Sequence, residues 1–205
     1  MTETTLFLKA LLVGLSIAAP VGPIGLLTIQ RTLERGMAVG LATGLGAAVA
    51  DACYGAVGAF GVRWLLDALT GVRTPLAFGG GALLLWLAWR TWHAPLSGKA
   101  APAGATDLLH AFAGTFVLTL ANPATILSFV AVFGALSGGL SGPVSPALMV
   151  AGVFAGSALW WLLLTAGVAL GRRRFTDAWR RRINQASALV LAAFALWQWT
   201  VALRS

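Results

Sequence analysis

One aspartate lies near the middle of a long apolar segment of the chain. Between Arg35 and Arg63 the only charged residue is Asp51, and these 27 residues centre on Val49. In a helix Asp51 would therefore lie about 3 Å from the membrane midplane, at a depth where an aspartate adds about 2.5–3.5 kcal/mol to insertion. Two interpretations follow. The carboxylate binds a cation or a proton, or it is structural and accepts a hydrogen bond from Tyr54 or lies beside a freed carbonyl.

Prolines interrupt two other apolar segments near their middles. Pro20 and Pro23 fall in the uncharged run 10–30, and the dipeptide Asn122-Pro123 is central in a second run. Proline lacks an N–H group and clashes with the carbonyl four residues earlier. The carbonyls predicted to lose their helical partners are those of Ser16, Ala19 and Thr119.

Unpaired carbonyls persist in a membrane only where protein or a polar cavity surrounds them. Two breaks at matching places, one beside Gly22 and the other beside Asn122, therefore predict a central substrate site. The simpler alternative is an ordinary proline kink in each segment.

The composition is that of an integral membrane protein. Hydrophobic residues make up 59% of the 205 residues and charged residues 10%, against about 45–50% and 25% in soluble domains. Residues 108–171 carry no Asp, Glu, Lys or Arg. These values exclude soluble enzymes and soluble nucleic-acid-binding proteins. The residues that give the net charge of +8 must therefore lie in the connections between apolar segments. With one cysteine and two histidines, neither a zinc-type metal site nor a cofactor is expected.

Six apolar segments are long enough to be read as membrane-spanning helices. They cover about 10–29, 36–62, 75–92, 110–136, 146–170 and 183–203. Alternation of apolar and polar residues, as in barrel strands, is absent from runs such as 82–89. With the N-terminus outside, ten Lys and Arg residues fall on the cytoplasmic side and four on the other, so both termini are predicted outside.

The two halves of the sequence resemble each other. Ala19-Pro20 aligns with Asn122-Pro123, and residues 47–51 align with 153–157, which pairs Asp51 with Ser157. Three spans in each copy give the copies opposite orientations. We therefore predict an all-α integral membrane protein of six transmembrane helices in two inverted three-helix repeats, with the first and fourth helices broken at prolines. It forms one membrane domain, with repeat one at about 6–92, a loop at 93–109 and repeat two at about 110–204.

Several motifs, in order and spacing, resemble the lysine/homoserine/threonine exporter (LysE/RhtB) family of bacterial inner-membrane proteins. They are Pro20-Val21-Gly22-Pro23, the turn from Arg31 to Gly40, the stretch from Gly44 to Tyr54, residues 78–89, Leu120-Ala121-Asn122-Pro123 and Gly152 to Trp161. The resemblance implies a six-helix amino-acid exporter driven by the proton motive force. The residues after Asn122-Pro123 are Ala124-Thr125-Ile126, without the lysine associated with many members, which leaves the substrate open.

From these residues we expect a zwitterionic amino acid between the two breaks. Its carboxylate would meet the helix start after Pro23 or Pro123, and its ammonium would meet Asp51 and the carbonyls of Ser16, Ala19 or Thr119. A proton and the ammonium would compete for Asp51, which amounts to antiport. The rival interpretations are an exporter of metal or other cations and, more remotely, an intramembrane enzyme. The expected partners are an amino acid, protons and the lipid bilayer, and a homodimer is one assembly that the sequence leaves open.

Overall fold

The computed structural model describes residues 2–20, 22–59, 73–94, 104–122, 125–126, 128–129, 145–171 and 176–203. In this part of the chain every long regular element is an α-helix. In chain order they are α1 (Glu3–Ala18), α2 (Pro23–Arg35), α3 (Met37–Ala59), α4 (Arg73–Trp92), α5 (Ala105–Leu120), α6 (Pro146–Gly171) and α7 (Asp177–Leu203).

Local sequence signals explain where the first helices begin and end. Thr2 precedes α1, and its Oγ1 accepts a hydrogen bond from the Thr5 N–H at 3.3 Å. Pro23 occupies the first position of α2, where its missing N–H removes no helical bond. Gly36 separates α2 from α3 with φ 93°, a left-handed conformation that favours glycine. The chain therefore turns sharply into α3 after Arg35.

The chain is a multi-pass membrane protein by the length and composition of its helices. Three helical stretches are long and apolar enough to cross a bilayer, namely Met37–Ala59, Pro146–Gly171 and Ala178–Leu203. The pair α1 and α2 meets the same criterion as one broken span, with an angle of 80° between the two parts. Helix α5 is apolar but has only 16 residues, and most of the remaining part of the predicted fourth span, to 136, lies outside the described residues.

Several predicted boundaries differ from the observed ones, because charge marks the edge of the hydrocarbon rather than the end of a helix. The first helix, for example, begins at Glu3, seven residues before Ala10. Two further cases are the starts of α5 and α7. Helix α5 begins at Ala105, five residues before the predicted start, where Asp107 Oδ2 accepts a hydrogen bond from the Gly104 N–H at 3.3 Å. Helix α7 begins at Asp177, six residues before Ile183, and includes three arginines. Both helices extend past the apolar segment into the polar region of the membrane.

Close backbone contacts hold the centre of the molecule together. Helix α1 packs on α6, α5 packs on α3, α3 packs on α6, and α4 packs on α7. Gly46 of α3 lies against the backbone of Phe112 in α5, and Gly152 of α6 lies against the backbone of Phe7 in α1. A Cβ atom at either glycine would overlap main-chain atoms, so these positions require the small residue.

Candidate functional site

The first predicted break lies between α1 and α2. The Ala19 N–H donates to the Leu15 carbonyl at 2.9 Å, and the Gly22 N–H donates to the Pro20 carbonyl at 2.8 Å, so a tight turn replaces the helix. The first N–H groups of α2, after Pro23, have no acceptor within the helix. The break in the first segment was predicted correctly, and it presents the positive end of the α2 dipole at mid-segment.

The second break follows α5, which ends at Leu120. The carbonyl of Asn122 accepts from the N–H groups of Thr125 at 3.1 Å and Ile126 at 3.2 Å, and both of these residues are helical. Pro123 itself lies outside the described residues. The Thr119 carbonyl, which was predicted to lose its helical partner at Pro123, accepts instead from the Asn122 N–H at 3.1 Å in a tighter last turn.

Side chains from other helices bind the next carbonyls at this break. Tyr54 donates its hydroxyl to the Leu120 carbonyl at 2.6 Å, which joins α3 to the end of α5. Gln198 donates to the carbonyls of Ala77 at 2.9 Å and Ala121 at 3.4 Å. The structural alternative for Asp51 included a hydrogen bond from Tyr54, but the tyrosine hydroxyl donates to a backbone carbonyl instead.

Asp51 lies at the contact between α3 and α6. Its side chain is 4% exposed, and Ser157 donates a hydrogen bond to Asp51 Oδ2 at 2.7 Å. Trp161 in turn donates its indole N–H to the Ser157 hydroxyl at 3.2 Å. The two residues that the repeat pairs in sequence, Asp51 and Ser157, are therefore direct partners in space.

A small cavity of about 90 Å³ brings most of the predicted site together. It lies where the first break meets α3 and the end of α5. Among its lining residues, those predicted from the sequence are Pro20, Gly22, Pro23, Asp51, Thr119 and Asn122. Ser16 does not line this cavity and its side chain is exposed, whereas Tyr54 and Ser157 are buried beside it through their hydrogen bonds.

The lining offers complementary charge on two sides. Among the described residues of the lining, Asp51 is the only carboxylate, and the start of α2 supplies backbone N–H groups at Ile24 and Gly25. Such an arrangement can hold a cationic group at the aspartate and an anionic group at the helix start. Within the described ranges, no group of three or more His, Cys, Asp or Glu side chains is placed to hold a metal ion.

Sequence reasoning missed three residues of this region. Trp161 and Thr125 line the cavity, and Gln198 binds the second break from α7. A glutamine inside the apolar run 183–203 is a polar group that must find a partner in a membrane, so it was a detectable signal. Trp161 carried no such signal, because its neighbours in the sequence are as apolar as it is.

The match to a known family agrees with this architecture. Residues 15–198 match the LysE type translocator family. The chain belongs to this family. The match includes both breaks, Asp51 and Ser157, which agrees with the resemblance noted in the sequence and identifies the chain as a membrane transporter.

Relatives in three bacteria give further comparisons. The chain is 30% identical over 193 residues to the "Chemotactic transduction protein ChpE" of Pseudomonas aeruginosa, covering 91% of this chain and 93% of that protein. It is 28% identical over 173 residues to the "Uncharacterized membrane protein YahN" of Escherichia coli, covering 82% and 77%. The "Putative amino acid efflux protein YcgF" of Bacillus subtilis is 29% identical over 134 residues, covering 64% and 63%. No solved structure matches the chain.

Proposed function

We propose that this LysE-family translocator exports an amino acid or a close derivative across the bacterial inner membrane in exchange for protons. The observation that carries the proposal is the cavity in which Asp51 meets the first break and Asn122. Membership of the translocator family supports transport, and the name of the Bacillus subtilis relative supports an amino acid as the substrate class.

The proposal includes six spans arranged as two inverted repeats. An exchange of the halves would pair α1 with α5, α3 with α6 and α4 with α7. Under this exchange the contact of α1 with α6 becomes the contact of α5 with α3, and both contacts are observed. The observed α3–α6 and α4–α7 contacts each exchange into themselves. Gly46 and Gly152, which the same alignment pairs, each lie against the backbone of the other half's first helix.

The zwitterion would bind across the cavity. Its carboxylate fits the N–H groups of Ile24 and Gly25 at the positive end of α2. Its ammonium fits the Asp51 carboxylate, which already accepts the Ser157 hydroxyl. Asn122 can both donate and accept, so it suits either end of the substrate.

Antiport follows from competition at one buried carboxylate. A proton and an ammonium group neutralise the same charge, and a charge in this position is costly when it is left without either. Asp51 would release the substrate on one side of the membrane as it takes a proton, and the reverse would occur on the other side. Among the described lining residues there is no second acid that could hold both at once.

The small cavity also implies a moving element. Its volume of about 90 Å³ is well below the roughly 300–1,000 Å³ of typical ligand pockets, so the site would have to widen to hold an amino acid. Admission of an amino acid would require α1 or α2 to shift about the turn at residues 19–22. This fits alternating access, in which broken helices move around a central site.

The test is export by the purified protein in proteoliposomes with an imposed pH gradient, assayed with a panel of amino acids and divalent cations. We expect one or more amino acids to accumulate against their gradient, and Asp51→Asn to abolish this uphill movement because asparagine cannot titrate. Asp107→Asn, which removes an acid from the exposed start of α5, is the matched control and should transport normally. Accumulation of a divalent cation alone would favour the rival exporter.

A further inference from the structure

A second and larger cavity lies at the far end of α2. It has a volume of about 530 Å³ and is open to the surface between the last turns of α2 and α4. Three arginines line it, Arg31 and Arg35 from α2 and Arg90 from α4, with Glu34 as the single carboxylate in the lining. Its volume lies within the range of typical ligand pockets.

The positive charge of this cavity is mostly uncompensated. Glu34 is opposed by three guanidinium groups, and Asp107 outside the lining approaches only Arg35, at 4.0 Å. Within the described part of the chain, neither Arg31 nor Arg90 has a carboxylate within 4 Å. Arg90 lies instead over the Trp86 ring, 5.4 Å from its centre. Like charges held together in this way favour an anion between them.

Hydrogen bonds hold the groups of the cavity in place. Arg31 Nη1 donates to Thr43 Oγ1 at 3.1 Å, and to the Ala111 carbonyl and Thr115 Oγ1 at 3.3 Å each. Glu34 accepts from Gln30 at 3.0 Å and from Asn184 at 2.5 Å. Because α2, α3, α5 and α7 all contribute, the site is built by the packed helices and not by one exposed side chain.

The two cavities lie along one helix. The start of α2 lines the Asp51 cavity and its second half lines the larger one. From Pro23 to Arg31 is eight residues, or about 12 Å along the axis at about 1.5 Å per residue. The distribution of Lys and Arg assigns this end of α2 to the cytoplasmic side.

We infer that the larger cavity is a carboxylate-binding vestibule, in which Arg31 and Arg90 collect the substrate from the cytoplasm before it reaches Asp51. A planar guanidinium pairs with a carboxylate through two parallel hydrogen bonds, which suits one end of an amino acid. The loading role rests on the proposed function, whereas the binding of a carboxylate does not.

Binding is tested without transport, on the full chain in phosphatidylcholine nanodiscs. Phenylglyoxal modifies arginines, and peptide mass spectrometry measures the rate at each one. Acetate at twice its Kd should slow the modification of Arg31 and Arg90 about threefold, as occupancy of one site requires, relative to the same concentration of chloride. Arg182, which lies over Trp179 at 5.9 Å much as Arg90 lies over Trp86, is the matched internal control and should be unaffected.

Three results would overturn the inference. Equal protection of Arg90 and Arg182, or protection of neither, would show that the cavity does not bind an anion. Protection by phosphatidylglycerol added to the nanodiscs, without protection by acetate, would assign the cavity to a lipid head group. The third concerns loading: Arg90→Gln should raise the half-saturating substrate concentration about two- to fivefold. An unchanged value, equal to that of Arg182→Gln, would place the cavity off the transport route even where acetate binds.

Discussion

The two helix breaks differ in how their backbone groups are satisfied. At the second break, Tyr54 and Gln198 bind the carbonyls of Leu120 and Ala121 from other helices. At the first break the bonds among the described residues are local backbone bonds, from the Ala19 N–H to Leu15 and from the Gly22 N–H to Pro20. Side chains of two other helices therefore bind the second break, whereas the described bonds of the first lie within its own turn. The proposed function accordingly assigns the substrate-dependent movement to the first break.

At the centre of the molecule, the two halves share a packing contact but differ in their polar residues. Gly46 and Gly152 make equivalent backbone contacts in the two halves, but Asp51 in one half faces Ser157 in the other. In the proposed repeat the packing glycines are therefore matched between the halves, whereas Asp51 is matched by a serine. We infer that the glycines are placed by packing, which both halves need, and that Asp51 is placed by the proposed transport function.

The largest effect is expected at the first break. Pro20→Ala supplies an N–H for the Ser16 carbonyl, so α1 should extend through the turn and straighten. We expect most uphill export in proteoliposomes to be lost, with normal insertion. Pro75→Ala is the matched control, because Pro75 is exposed in the first turn of α4, where a missing N–H removes no bond. Wild-type export by Pro20→Ala would indicate that the first break, like the second, is an ordinary proline kink.

A smaller effect is expected from the packing glycines, and it tests the symmetry. Gly46→Ala and Gly152→Ala each drive a methyl group into main-chain atoms of a neighbouring helix, which should reduce stability by about 1–3 kcal/mol. At Gly114 of α5 a Cβ atom meets nothing, so Gly114→Ala should instead stabilise its helix by up to about 1 kcal/mol. Thermal unfolding in detergent measures all three. Strongly unequal losses at Gly46 and Gly152 would argue against equivalent halves.

The smallest effect is expected at Ser157. Ser157→Ala removes the hydroxyl that donates to Asp51, and interhelical hydrogen bonds in membrane proteins contribute about 0.6–1.7 kcal/mol. Ser187→Ala is the control, since the Ser187 hydroxyl is equally buried and has no hydrogen-bond partner in the described structure. Equal stability of the two variants by thermal unfolding would show that Asp51 gains little from its partner. Ser157→Asn is less suitable than Ser157→Ala for this measurement, because the larger amide does not fit a fully buried serine site.

Sequence reasoning predicted the features that follow from covalent chemistry and hydrophobicity. The missing N–H of Pro20 and the depth of Asp51 were enough to predict a broken first segment and a buried acid. The repeat alignment even paired Asp51 with Ser157, although not their hydrogen bond. It could not predict which donor reaches which acceptor. Tyr54 is one helical turn from Asp51, yet its hydroxyl reaches α5, and that depends on how α3 and α5 pack.

Helix boundaries and cavities were harder to predict from the sequence. The arginines before Ile183 predict the edge of a membrane, but the helix continues through them because helical hydrogen bonds do not require apolar side chains. Arg31, Arg35 and Arg90 were counted among the Lys and Arg residues that predict orientation, and Arg31 also begins one of the family motifs. Their convergence on one cavity depends on the angle at which α2 leaves the first break, which no periodicity in the sequence specifies.

If Asp51 exchanges a proton for the substrate, as we propose, export must move protons across the membrane. Proteoliposomes holding a pH-sensitive dye start at equal pH on both sides, and a gradient of the transported amino acid is imposed. We expect wild-type protein to move protons against the flow of the amino acid, and Asp51→Asn to move none while still exchanging substrate for substrate. Proton movement of wild-type size in Asp51→Asn would contradict the claim and remove Asp51 from the coupling mechanism.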